Sequence, residues 1–120
     1  MKRTGPANKH LRNLIQELIR LSADQDVKIW KAIAKNLNRP TRQRTIINLF
    51  KINKLAKENE TVIIPGKVLG NGELNRKITI SAFYFSKSAK EKIKQCGCKA
   101  ITINELIKTN PKGSKVRIIG

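Results

Sequence analysis

The sequence predicts a mixed α/β fold in one compact domain: helical to about residue 58, then strand, strand, helix, strand, short helix and strand. Three observations predict it. Apolar residues recur at helical spacing as far as residue 58, the pattern switches to β-rich runs after Glu60, and no long linker divides the two parts. The boundaries expected within the single domain 1–120 are a basic arm over 1–10, a helical region over 11–58 and a mixed core over 59–120.

Each element has its own signal. The first ten residues hold Gly5, Pro6 and no acid, and read as an irregular basic arm. Leu11, Leu14, Ile15, Leu18 and Leu21 mark an amphipathic helix of about 10–22, and Ser22, Asp24 and Asp26 a polar break with two candidate N-caps. Val27, Trp30, Ile33, Ala34 and Leu37 form a second helix that must stop before Pro40. After a basic loop, a third helix is expected over 46–58 with Ile46, Leu49, Phe50 and Leu55 as its apolar residues. Thr61 to Leu69 is a strand bent or bulged at Pro65-Gly66. Gly70-Asn71-Gly72 is a turn signal, and with the β-rich run Lys77 to Phe85 it suggests a hairpin. Ser86 or Ser88 caps a helix that ends at Gly97. Lys99 to Ile103 reads as a short buried strand, Asn104 as the cap of a helix over 105–109, and Val116 to Ile119 as the last strand.

Length and charge bound the class. A chain of 120 residues buries roughly two thirds of its unfolded surface, enough for a core without disulfides. No apolar run approaches the roughly 20 residues of a membrane span, the first residues lack the apolar stretch of a signal peptide, and two cysteines fit a reducing compartment. A soluble intracellular, cytoplasmic protein is expected. The net charge is +18, with 26 Lys and Arg against 8 Asp and Glu. Each half carries +9, so the folded body itself is basic and calls for a polyanionic partner, nucleic acid before an anionic membrane surface.

Catalysis finds no footing. His10 is the one histidine, the acids are scattered, and Asp24 and Asp26 suit helix capping better than paired-carboxylate chemistry. Cys96-Gly97-Cys98 resembles half of a zinc clip, but there is no second pair. No catalytic residue, metal, cofactor or small-molecule substrate is expected.

The cations carry the functional signal. From Val27 to Lys57 there are nine basic residues and no acid: Lys28, Lys31, Lys35, Arg39, Arg42, Arg44, Lys51, Lys54 and Lys57. Arginine suits bidentate phosphate contacts, which singles out Arg39-Pro40-Thr41-Arg42-Gln43-Arg44. The Gly70–Gly72 and Pro111–Lys115 loops lie close in sequence to Lys67, Arg76, Lys77, Lys112, Lys115 and Arg117, where exposed backbone N–H groups suit a phosphate. Lys2, Arg3, Lys9 and His10 of the arm, Arg12 just after it, and Ser114 complete the expected RNA contacts. Few aromatics exist, and only Phe83-Tyr84-Phe85 offers to expose a ring for stacking. A helix-turn-helix over 10–38 is disfavoured by a break read as several residues long and acidic. A DNA-binding regulator or nucleoid-type protein is the alternative; an RNA-processing enzyme would need a constellation that is not visible.

Three separated motifs then resemble one family in the correct order. They are Arg39-Pro40-Thr41-Arg42 leading into Ile47-Asn48-Leu49, Glu60-Thr61-Val62-Ile63-Ile64-Pro65-Gly66-Lys67-Val68-Leu69-Gly70, and Asn110-Pro111-Lys112-Gly113-Ser114-Lys115-Val116-Arg117-Ile118-Ile119. The chain is similar to the large-subunit ribosomal protein eighteen-e family of archaea and eukaryotes, relatives of bacterial ribosomal protein fifteen. The resemblance implies a structural constituent of the large ribosomal subunit that binds ribosomal RNA beside neighbouring ribosomal proteins, without catalysis. It implies an irregular strand-strand-helix superhelical core with an N-terminal helical extension. It also lends Arg39, Thr41, Arg42, Lys67 and the 110–115 loop the expectation of RNA contact. The missing basic C-terminal extension of eukaryotic members points to an archaeal protein.

Overall fold

The computed structural model describes residues 9–38, 45–113 and 115–119. Helix α1 (Lys9–Gln25) is longer than its apolar spacing predicts, and Lys9 and His10 form its first turn instead of an irregular arm. Ser22 and Asp24 lie inside α1, so the break shrinks to Asp26 and Val27 before α2 (Lys28–Leu37). Neither aspartate caps α2: its N-cap is Val27, with no side-chain bond, while Asp26 adopts a φ of 54°. An Asp at positive φ is tolerated because its short polar side chain reduces the left-handed penalty. Ser22 closes the turn, its carbonyl accepting from Val27 N at 3.1 Å and its hydroxyl donating to the Val27 carbonyl. The short break removes the length argument against a helix-turn-helix. Trp30, Ile33, Ala34 and Leu37 of α2 face the core, while Lys28, Lys31 and Lys35 stand exposed on its other side.

The expected third helix is divided. Thr45–Asn48 is strand β1, and helix α3 (Leu49–Leu55) begins only after it. Leu49 and Ile52 are buried, whereas Ile46, Phe50 and Leu55, read as apolar helix positions, are exposed. Strand pairing overrides the helical period here, because β1 lies parallel to Gly66–Leu69 and turns Ile47 inward.

Strands β2 (Thr61–Leu69), β3 (Thr79–Phe85), β4 (Lys99–Thr102) and β5 (Val116–Ile118) complete a parallel sheet ordered β1-β2-β3-β4. Strand β5 pairs with Thr61–Ile63, so β5 and β1 lie end to end along the same edge of β2. The Pro65-Gly66 bulge is present as a register shift between Ile64 and Lys67. The hairpin is not: β2 and β3 are parallel. Gly70-Asn71-Gly72 turns the chain, but Leu74 and Ile78 then bury themselves, drawing the segment back across the sheet instead of into an antiparallel ladder. Asn71 accepts from Phe50 N and Asn53 Oδ1 from Asn75 N, each at 3.0 Å, which fastens the segment to α3.

Helix α4 (Lys87–Gln95) is capped by Ser86, whose hydroxyl accepts from Ala89 N at 3.2 Å. It ends as expected at Gly97, φ 74°, where Gly97 N reaches Lys94 O and Cys98 N reaches Ile93 O in a Schellman arrangement. Helix α5 (Ile103–Thr109) is capped by Thr102 in a capping box with Glu105, two residues earlier than an Asn104 cap implies. Strand β4 pairs only with β3, and its side chains are exposed or half-buried, not buried.

Helices cover both faces of the sheet. On one, Leu49, Ile52, Ala89 and Ile93 of α3 and α4 pack with Val62, Ile64, Val68, Ile80 and Ala82. On the other, Leu11, Leu14, Leu18, Trp30, Ile33 and Leu37 of α1 and α2 join Ile103, Leu106 and Ile107 of α5 over Ile63. The N-terminal helical extension thus supplies one layer of the core. The result is a flat body of 38 × 36 × 19 Å.

Candidate nucleic-acid interface

The topology sorts the exposed cations into separate groups. Whereas β1 begins opposite Gly66, parallel pairing places the starts of β2, β3, β4 and β5 at one end of the sheet. Val116 sits opposite Thr61 there, which brings Lys112, Lys115 and Arg117 beside Lys77, two residues before β3. Arg76 and Arg117 donate to carbonyls at the end of α3, so Lys54 joins the same group. At the carboxyl end of β2, Lys67 projects from the sheet, and Lys51 stands in the first turn of α3 just after β1. A nine-residue strand such as β2 spans about 25–30 Å. The third group is at the far end of the helical layer. A two-residue connection folds α1 back against α2, which sets Lys9, His10 and Arg12 toward the end of α2 that carries Lys35.

The first turn of α1 has no acid. Cations there oppose the helix dipole and cost the helix stability, so their charge is placed for something other than the helix.

Not all of these cations are idle. Arg76 Nη1 donates to the carbonyls of Asn53 and, at 3.0 Å, Ala56. Arg117 Nη1 donates to Leu55 O at 2.7 Å, and its Nε lies 3.5 Å from Glu60 Oε2. Both guanidiniums thus close the last turn of α3, where carbonyls lack helical partners, and spend part of their donor fork on the fold. Acids do similar work. Glu60 Oε1 accepts from Lys57 N at 2.9 Å, Glu58 Oε2 from Lys77 N at 2.7 Å and Glu105 Oε1 from Thr102 N at 3.0 Å. Three of the eight acids are therefore bonded to backbone. Lys67 lies over the Tyr84 ring, 5.1 Å from its centroid.

Lys2, Arg3, Arg39, Thr41, Arg42, Arg44 and Ser114 lie outside the described residues. The two glycine-bearing loops differ in setting. Gly70–Gly72 is clamped by α3 and α4, with Lys92 Nζ donating to Gly72 O at 3.0 Å, whereas Pro111 O accepts from the Trp30 indole at 2.6 Å. Cys96 and Cys98 are free thiols, half-buried, donating to Leu74 O and Arg76 O at 3.0 Å each. Among the described residues no group of three or more His, Cys, Asp or Glu is placed to hold a metal ion, and no helix is long and apolar enough to cross a membrane.

Sequence reasoning named Tyr84 only as one of three rings in Phe83-Tyr84-Phe85, and Ile46 only as an apolar helix position. Local alternation does not place Tyr84, since Phe83 packs with the α1–α2–α5 cluster and Phe85 with the α3–α4 cluster on the opposite face. Ile46 had no local signal, because its strand is created by pairing with β2.

Known proteins supply the remaining comparison. Residues 15–101 match the family model described as ribosomal proteins 50S-L15 and 50S-L18e and the related 60S protein. The chain is 41% identical over 121 residues to the large ribosomal subunit protein eL18 of Methanopyrus kandleri, covering 97% of this chain and 95% of that one. The same protein of Methanococcus maripaludis is 44% identical, with 99% of each chain covered. That of Methanoregula boonei is 46% identical, with 93% of each covered. Matching over nearly its whole length, the chain belongs to this family of large-subunit ribosomal proteins.

Proposed function

We propose that this protein is a structural constituent of the large ribosomal subunit of an archaeon, in the cytoplasm, where it binds ribosomal RNA, contacts neighbouring ribosomal proteins and catalyses nothing. The observation that carries the reading is similarity, end to end, to proteins named as large ribosomal subunit proteins. The charge distribution supports it. Exposed cations stand at both ends of the sheet and at the end of the helical layer, while several acids are bonded to backbone. One flat domain, with cations at separate stations, suits holding two RNA segments in fixed relation. Lys9, His10, Arg12, Lys35, Lys51, Lys54, Lys67, Lys77, Lys112 and Lys115 are the proposed contacts, with Lys2, Arg3, Arg39, Thr41, Arg42, Arg44 and Ser114 added from sequence. Arg76 and Arg117 contribute with what their bonds to α3 leave free. Shape, not base sequence, is the main thing read in duplex RNA, whose major groove is too deep and narrow for side chains.

Sedimentation of cell extract through a sucrose gradient tests the reading. The chain is expected with the large subunit, at about one copy per particle, after a moderate-salt wash. A chain that runs free, or leaves with chromosomal DNA, defeats it.

A further inference from the structure

Ile46, Lys67 and Tyr84 occupy one register row across three adjacent strands: Ile46 is paired with Lys67, and Lys67 with Tyr84. Their sequence neighbours Ile47, Val68 and Phe85 all point into the α3–α4 side of the core. The row therefore projects from the other face, that of α1, α2 and α5. Those helices do not cover it, for Ile46 is 59% and Tyr84 53% exposed, and Lys67 is exposed between them. The row lies toward the carboxyl end of the sheet, beyond the residues of β2 and β3 that pair with β5 and β4.

Parallel sheets are normally covered on both faces. A bare stretch holding an aliphatic side chain, a cation and an aromatic ring is a surface that a partner completes. We propose that this row is a stacking platform for an unpaired base of the ribosomal RNA. Tyr84 supplies the ring surface that Lys67 leaves open, Ile46 flanks it with apolar area, and the Lys67 ammonium meets the phosphate of the same or the next nucleotide. The inference rests on the RNA-binding reading above and adds to it a contact with a single-stranded nucleotide.

Charge decides the class of occupant. The row has a cation and no acid, the body carries +18, and the chain enters Thr45 and Ile46 directly from a segment bearing Arg39, Arg42 and Arg44. A polyanion with exposed π-faces fits all three facts. Lys67 at 5.1 Å from the ring is also held where a phosphate beside a stacked base would lie. Base–aromatic stacking tolerates any base, so the platform requires an unpaired nucleotide and no particular sequence.

The test uses the full chain and large-subunit ribosomal RNA extracted from the source cells, with filter binding measured over a range of salt. Tyr84→Ala is expected to weaken binding about tenfold with the salt slope unchanged, because it removes stacking and no charge. Tyr84→Phe keeps the ring and restores the affinity. Lys67→Ala lowers the salt slope by about one. Ultraviolet crosslinking followed by mass spectrometry yields a nucleotide adduct on Tyr84. Thermal unfolding of each variant checks that the exposed substitution leaves the fold intact.

If Tyr84→Ala binds like the unaltered protein while Lys112→Gln with Lys115→Gln weakens binding, the platform is refuted and the RNA-binding reading stands. If Tyr84→Ala binds free RNA normally but is lost from assembled subunits, the row faces a protein, and the platform is again refuted. If the unaltered protein does not bind the RNA, the broader reading fails first and takes the platform with it.

Discussion

Trp30 shows what one residue does in this fold. It is fully buried, and its indole N–H donates to Pro111 O at 2.6 Å, tying the first turn of α2 to the turn before β5. Trp30→Phe strands that carbonyl and leaves a void, and should cost about 1–3 kcal/mol, read from denaturant unfolding. The basic residues divide by the same reasoning. Arg76→Gln removes bonds to the Asn53 and Ala56 carbonyls and should lower the unfolding midpoint by roughly 4 °C per kcal/mol lost. Lys112→Gln should leave the midpoint unchanged and weaken RNA binding. Calorimetry and filter binding on the pair separate a cation that builds the fold from one that serves the partner. Sequence placed both in one list, because a side chain's charge is visible in a sequence and its hydrogen-bond partner is not.

At the scale of elements, β1 is held by a close approach that a side chain would prevent. A Cβ on Gly66 would stand 2.1 Å from the Thr45 carbonyl oxygen, which belongs to backbone and cannot swing away. Gly66→Ala should separate β1 from β2 and accelerate hydrogen exchange of the Ile46–Asn48 amides. Gly97→Ala meets no atom within 4 Å and pays only for its positive φ, about 1 kcal/mol. Equal losses in the two variants would show that the β1–β2 approach is not tight. The helical spacing of α1 and α2, the β2 strand with its bulge, and the α4 cap were legible because each is a local pattern. Strand β1 was not legible: four residues with an apolar pair satisfy helix and strand alike, and only β2 decides between them.

For the whole molecule, charge is the governing quantity. A body with +18 in 38 × 36 × 19 Å repels itself, and self-repulsion weakens the compact state until salt screens it. The free protein should therefore gain thermal stability as salt rises from low to physiological strength, while its RNA affinity falls over the same range. Circular dichroism melts and binding isotherms in one buffer series check both trends. A melting point that declines with salt would mean that cation–acid attractions, such as Arg117 with Glu60, outweigh the repulsion.

Composition, charge and apolar periodicity by themselves determined that this chain has a mixed α/β core and a basic body, and the charge led to the expectation of a polyanionic partner. Its ordered motifs pointed to the ribosomal family. These properties are sums over residues or patterns a few residues long, so a sequence holds them complete. Only the tertiary structure decided that β2 and β3 run parallel, that the N-terminal helices form one layer of the core, and that Ile46, Lys67 and Tyr84 share a row. Those outcomes depend on which distant segments compete to cover the same apolar surface. Leu74 and Ile78 win a place over the sheet that a hairpin would have denied them, and no local pattern records that competition.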